Sequence, residues 1–186
     1  METTSHAYQY HTLNSATSLR LLDILPAANS NSPIRIHLRH TTVDAGEPYE
    51  ALSYTWGLTS DPQTLHVVCD GDEGDSGATL SVTQNCFAAL HRLRLPETRR
   101  VLWVDAICIN QGDVTERSQQ VGLMGRIYHG AEQVLIWLGA GTPDSDLAVE
   151  FLVPFKEILE VRGIERANFV EGRDGVLRGR FFFFFH

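Results

Sequence analysis

The sequence predicts an α/β domain, a mostly parallel sheet flanked by helices with a β-hairpin attached. Three observations carry that expectation. Residues 101–109 form a near-continuous apolar run, the signature of a strand covered on both faces. Apolar residues at helical spacing follow, and 134–138 form a second apolar run, so strand, helix and strand succeed one another as in a right-handed βαβ unit. Two short strand patterns at 65–69 and 78–82 flank an acidic, glycine-rich tip, as a hairpin does.

Residues 1–33 are polar and end in Ala27-Ala28-Asn29-Ser30-Asn31-Ser32-Pro33, a loop signature, and are read as an N-terminal segment. Ile34, Ile36 and Leu38 then alternate with Arg35, His37 and Arg39, the period of a half-buried strand. After a turn at Gly46-Glu47-Pro48, residues 49–56 form a second strand that stops at Gly57. The tip at 70–77 does not fit a calcium loop, because Gly74 takes a ligand position beside Asp70, Asp72 and Asp75 and no glutamate closes it.

Thr83 can cap a helix running to about Arg94, with Phe87, Leu90 and Leu93 on one face and Pro96 beyond its end. A second helix starts near Asp113, which forms a capping-box pattern with Glu116. Its apolar residues are Val121, Met124, Ile127 and Tyr128, and Gly122 and Gly125 suggest close packing on the sheet. The strand at 134–138 closes at Gly139, and a third helix begins after Thr142-Pro143 and is kinked or split at Pro154. The domain is therefore drawn over 34–162. From Gly163 periodicity is lost; five consecutive phenylalanines precede His186, so 163–186 reads as an irregular tail and a gene-model artefact.

Composition narrows the function. A chain of 186 residues, 43% hydrophobic and 20% charged, suits one globular domain. A net charge of −8 argues against a nucleic-acid partner, and Arg92, Arg94, Arg99 and Arg100 look like a solvated helix end. Cys69, Cys86 and Cys108 are odd in number and lack C-x-x-C spacing, so they read as buried reduced thiols, with no metal site. Arg20 and Asp23 interrupt the only early apolar stretch, and no run approaches the roughly 18 residues a membrane span needs. The chain reads as cytoplasmic.

Three blocks stand out together. They are Tyr49-Glu50-Ala51-Leu52-Ser53-Tyr54-Thr55-Trp56-Gly57; Leu102-Trp103-Val104-Asp105-Ala106-Ile107-Cys108-Ile109-Asn110-Gln111 with Asp113, Glu116 and Arg117; and Gln120-Val121, Met124, Ile127-Tyr128, Ala131 and 134–139. In this order and spacing they resemble the heterokaryon-incompatibility (HET) domain of filamentous fungi, over about residues 10–139. That family's later block, with tryptophans, an arginine and a Gln-Glu pair, has no counterpart here. The resemblance implies recognition-triggered cell death, a form of fungal innate immunity, with protein partners or self-association. HET domains are in turn distantly similar to TIR domains, which implies a TIR-like, flavodoxin-like sheet and, in the enzymatic branch, NAD+ as substrate rather than a resident cofactor.

On that comparison Glu116 matches the TIR catalytic glutamate. A carboxylate beside the ribose stabilises the cationic transition state of N-glycosidic cleavage. The same residue also fits simple helix capping. Asp105 reads either as a buried acceptor for backbone or tryptophan N–H groups or as a binding-site carboxylate. Trp56, Tyr54 and Trp103 suit core positions or a stacking platform. Ser53, Asn110, Gln111 and Arg117 complete the ligand-binding candidates; Arg117 equally suits a surface ion pair. Cys108 has no histidine near it in sequence to make it a nucleophile.

Overall fold

The computed structural model describes residues 5–68, 77–137 and 139, with the backbone alone of 170–171 and 176–179. Its elements are β1 (His6–Ala7), β2 (Ser18–Ile24), β3 (Arg35–Thr42), β4 (Glu50–Tyr54), β5 (Gln63–Val67), β6 (Ala78–Val82), α1 (Gln84–Leu93), β7 (Arg100–Trp103), α2 (Asp105–Cys108), α3 (Val114–Gly130), β8 (Gln133–Trp137), β9 (Val170–Glu171) and β10 (Val176–Gly179). The strands form one sheet in the order β1-β6-β5-β3-β2-β7-β4-β8-β10-β9. The fold is α/β, as the sequence predicts, with a mixed sheet and the expected β5–β6 hairpin.

The parallel heart of the sheet is β7-β4-β8. Glu50 lies opposite Leu102 on one side, and Ala51 opposite Val134 on the other. The two apolar runs of the βαβ unit are therefore in one sheet but not side by side, because β4 lies between them. The chain leaves β4 for β7 on one flank, then crosses through α3 to β8 on the other. The C-terminal ends of β4 and β7 thus open beside a change in winding direction, where α/β sheets form ligand crevices.

Five readings need revision. The run at 101–109 is not one strand: β7 ends at Trp103, and Asp105 opens the short helix α2. Full burial from Leu102 to Val104 and from Ile107 to Ile109 explains the error, since a buried strand and a buried helical turn look alike as apolar runs. The N-terminal segment holds β2, all seven of whose residues are buried, between β3 and β7. The inward face of α3 is Glu116, Gln120, Leu123 and Ile127, whereas Val121 is 58% exposed. Gly122 and Gly125 are exposed on that helix too, and a Cβ on Gly122 would touch nothing within 4 Å, so neither glycine serves close packing. Finally, 163–186 is not without structure: β10 pairs antiparallel with β8 and with β9. The tip at 69–76, the helix after Pro143 and the five phenylalanines lie outside the described residues.

Other elements form for the reasons expected. Thr83 caps α1 by accepting from Cys86 N–H, and Leu90 and Leu93 are buried beneath it. Asp113 caps α3 by accepting from the N–H groups of Thr115 and Glu116. One continuous core joins β2 to β8, with Trp103 edge-on to Tyr128 of α3 at 5.5 Å. The arginines near the end of α1 are not all solvated: Arg94 donates to Ser32 O and Pro33 O, and Arg100 pairs with Glu50. Arg99 reaches the buried Asp23, which Arg39 also holds.

Candidate functional site

The residues singled out in the sequence separate into two neighbourhoods. The first is a buried charge node around Glu116. The return half of the capping box is not made, because Asp113 N–H donates to Asn110 O instead. The Glu116 carboxylate turns inward, and only 7% of the residue is exposed. Its Oε1 accepts from Arg20 Nη1 at 2.6 Å and Asn110 N–H at 2.7 Å, and its Oε2 accepts from Arg20 Nη2 at 3.0 Å. This is the bidentate fork that suits a guanidinium.

Arg20 comes from the middle of β2 and is fully buried. It also donates to Cys108 O at 3.1 Å and His11 O at 2.5 Å, and it lies 4.9 Å from the Tyr10 ring centroid. Tyr10 in turn donates to Ile107 O at 2.8 Å. Burial alone pushes the Glu116 pKa up, but the hydrogen bonds from Arg20 and Asn110 and the Arg20 charge outweigh it. The carboxyl is held below its ordinary value. A buried ion requires such compensation to be tolerated. Arg20 is the residue that local reading missed; its signal was an arginine amid Leu19, Leu21 and Leu22 with no local partner.

The second neighbourhood is a crevice of about 260 Å³ at the C-terminal ends of β4 and β7, walled by Trp56, Pro62, Val82, Thr83, Ala106 and Gln111. Trp56 is not a core residue: it is 43% exposed. Its Nε1 donates to Asp105 Oδ2 at 3.0 Å, while Asp105 Oδ1 accepts from Ala106 N–H at 2.7 Å. Asp105 thus accepts from a tryptophan and a backbone N–H, the structural role foreseen, but from the first turn of α2. Burial raises its pKa, and the hydrogen bonds from Trp56, Ala106 N–H and its own backbone N–H offset the rise only in part.

Gln111 Nε2 donates to Asp105 O at 2.9 Å, and Gln111 O accepts from Arg117 Nη1 at 3.4 Å. Asn110 belongs to the first neighbourhood through its N–H on Glu116, its Oδ1 accepting from Gly112 N–H in the turn that follows. Ser53 and Tyr54 lie half-buried within β4, outside the lining of the crevice. Asn85, unforeseen, fastens the rim: its Oδ1 accepts from Trp137 Nε1 at 2.8 Å and its Nδ2 donates to Thr55 O. Gly57 turns the chain there with φ +74, and a Cβ would sit 3.3 Å from Asn85 Cβ. Cys86 and Cys108 are buried free thiols, pushed up to about 12 by burial, which suits packing rather than attack.

The family model described as heterokaryon incompatibility protein (HET) matches residues 49–166. The chain belongs to the HET family. It is similar to heterokaryon incompatibility protein 6, OR allele, of Neurospora crassa, with 34% identity over 142 residues. That match covers 74% of this chain and 21% of the relative, so the HET chain spans about a fifth of the curated protein's length. No solved structure matches it. Both neighbourhoods draw on the matched region, but Arg20 and Tyr10 lie before residue 49, where the HET model match begins. Among the described residues no helix is long and apolar enough to cross a membrane.

Proposed function

We propose that this HET domain is a signalling and assembly module of a fungal incompatibility protein. It converts a recognition event into cell-death signalling in the cytoplasm by docking onto protein partners or further copies of itself. The observation that carries this reading is the state of Glu116. Its carboxylate is enclosed, and both oxygens are already taken by Arg20 and Asn110 N–H. A glutamate spent on holding β2 to α3 is not free to face a sugar. The outward side of α3 meanwhile presents Val114, 63% exposed, and Val121, 58% exposed, two turns apart beside exposed Gly122 and Gly125. That narrow apolar strip lets a partner approach the helix closely.

The competing reading is a TIR-like NAD+ hydrolase that uses Glu116, and one experiment separates the two. The protein is expressed inducibly in fungal hyphae while cell death and total NAD+ are followed. Assembly predicts that Val114→Glu with Val121→Glu abolishes death by charging the docking strip while the fold survives, since exposed substitutions of this kind change stability by only about 0.5 kcal/mol. NAD+ then stays level in living wild-type cells up to the onset of death. An early NAD+ collapse that Glu116→Gln prevents, in a protein still folded, replaces the assembly reading with the hydrolase.

A further inference from the structure

The crevice at the ends of β4 and β7 is a formed recess that the assembly reading does not use. We propose that it is a binding site for a small, uncharged, planar heterocycle that stacks on Trp56 and hydrogen-bonds through one polar edge. Four observations converge on that chemistry.

The first is the state of Trp56. The residue is 43% exposed, yet its indole N–H is anchored to Asp105, whose other oxygen is anchored to Ala106 N–H. An exposed aromatic ring that is held in place is a ready stacking surface, because little side-chain freedom remains to be lost on binding. The second is size. At about 260 Å³ the recess is below the roughly 300–1,000 Å³ of pockets for drug-sized ligands, so it suits a single ring system.

The third is charge. Among the described residues, none that lines the recess is ionisable. An anionic or cationic ligand would lose hydration there without a partner. The fourth is hydrogen-bonding capacity. Gln111 Nε2 is committed to Asp105 O, which leaves Gln111 Oε1 as an acceptor. Thr83 Oγ1 accepts from Cys86 N–H and keeps its own proton to donate. Thr59 and Ser81 add hydroxyls that serve either way. A donor and an acceptor among the lining residues match a ring bearing both on one edge, as nucleobases do. This site stands independently of the assembly reading and of Glu116.

The test uses the whole chain with adenosine as probe, followed by saturation-transfer NMR and tryptophan quenching. Saturable binding is expected, weakened about tenfold or more in Trp56→Ala. A second variant, Ser81→Tyr, adds bulk at another lining residue and leaves Trp56 and Asp105 unaltered; it should remove binding while the melting temperature holds. AMP should bind more weakly than adenosine. No saturable binding by the wild type, binding unchanged in either variant, or tighter binding of AMP would overturn the proposal.

Discussion

Arg20 and Glu116 are a pair whose separate and joint removal should differ sharply. Deleting either leaves the other charged and buried, a cost of about 3–5 kcal/mol, whereas replacing both by apolar residues of similar volume is often neutral or stabilising. Urea unfolding should therefore show Glu116→Ala and Arg20→Ala strongly destabilised and Arg20→Met with Glu116→Leu close to wild type. The pair also has a defined acid dependence. Because the Glu116 pKa is lowered in the folded state, its contribution is fully present above the unfolded value of about 4.3 and is lost as pH falls through the folded one. The stability gap between wild type and the apolar double variant should shift steadily against the wild type over that acid range. A gap that stays flat would mean that Glu116 titrates alike in both states. Asp105 moves oppositely, since burial raises its pKa and protonation there favours the fold.

At the scale of elements, β2 is the strand that local pattern concealed. Arg20 and Asp23 make its sequence look broken, yet they find partners at Glu116 and at Arg39 and Arg99. Compensation from so far along the chain is invisible to a periodicity argument. Elements with local signals were legible: α1 through its Thr83 cap, α3 through Asp113, and the β5–β6 hairpin through its turn composition. The inner face of α3 was not, because Glu116 and Gln120 are buried by virtue of partners on β2, including Ser18 O at 2.8 Å from Gln120 Nε2. Trp56, Asp105 and Gln111 were legible as site candidates, but their meeting depended on α2 turning the chain just after Trp103. A chain begun at Tyr49, where the HET match starts, lacks β2 and strands Glu116 without its cation. It should show no cooperative thermal transition by circular dichroism. A sharp melt from that truncation would show that β2 is dispensable.

Across the whole molecule, one contiguous core should make unfolding cooperative. Cys86 on α1 and Cys108 on α2 both belong to that core, and both thiols are held in the protonated form by burial. In a Cys69→Ser background, iodoacetamide should label them slowly and at matching rates, accelerating together in urea. Unequal rates would reveal sub-regions that open separately. The place of β2 between β3 and β7 has a further consequence for how the protein is made. During synthesis β2 leaves the ribosome early, but β7, its flanking neighbour, follows only after the β5–β6 hairpin and α1 have emerged. Throughout that delay a strand rich in leucine carries one unsatisfied edge, and distant pairings of this kind form slowly. The nascent chain is therefore expected to need shielding by chaperones until Trp103 has cleared the exit tunnel.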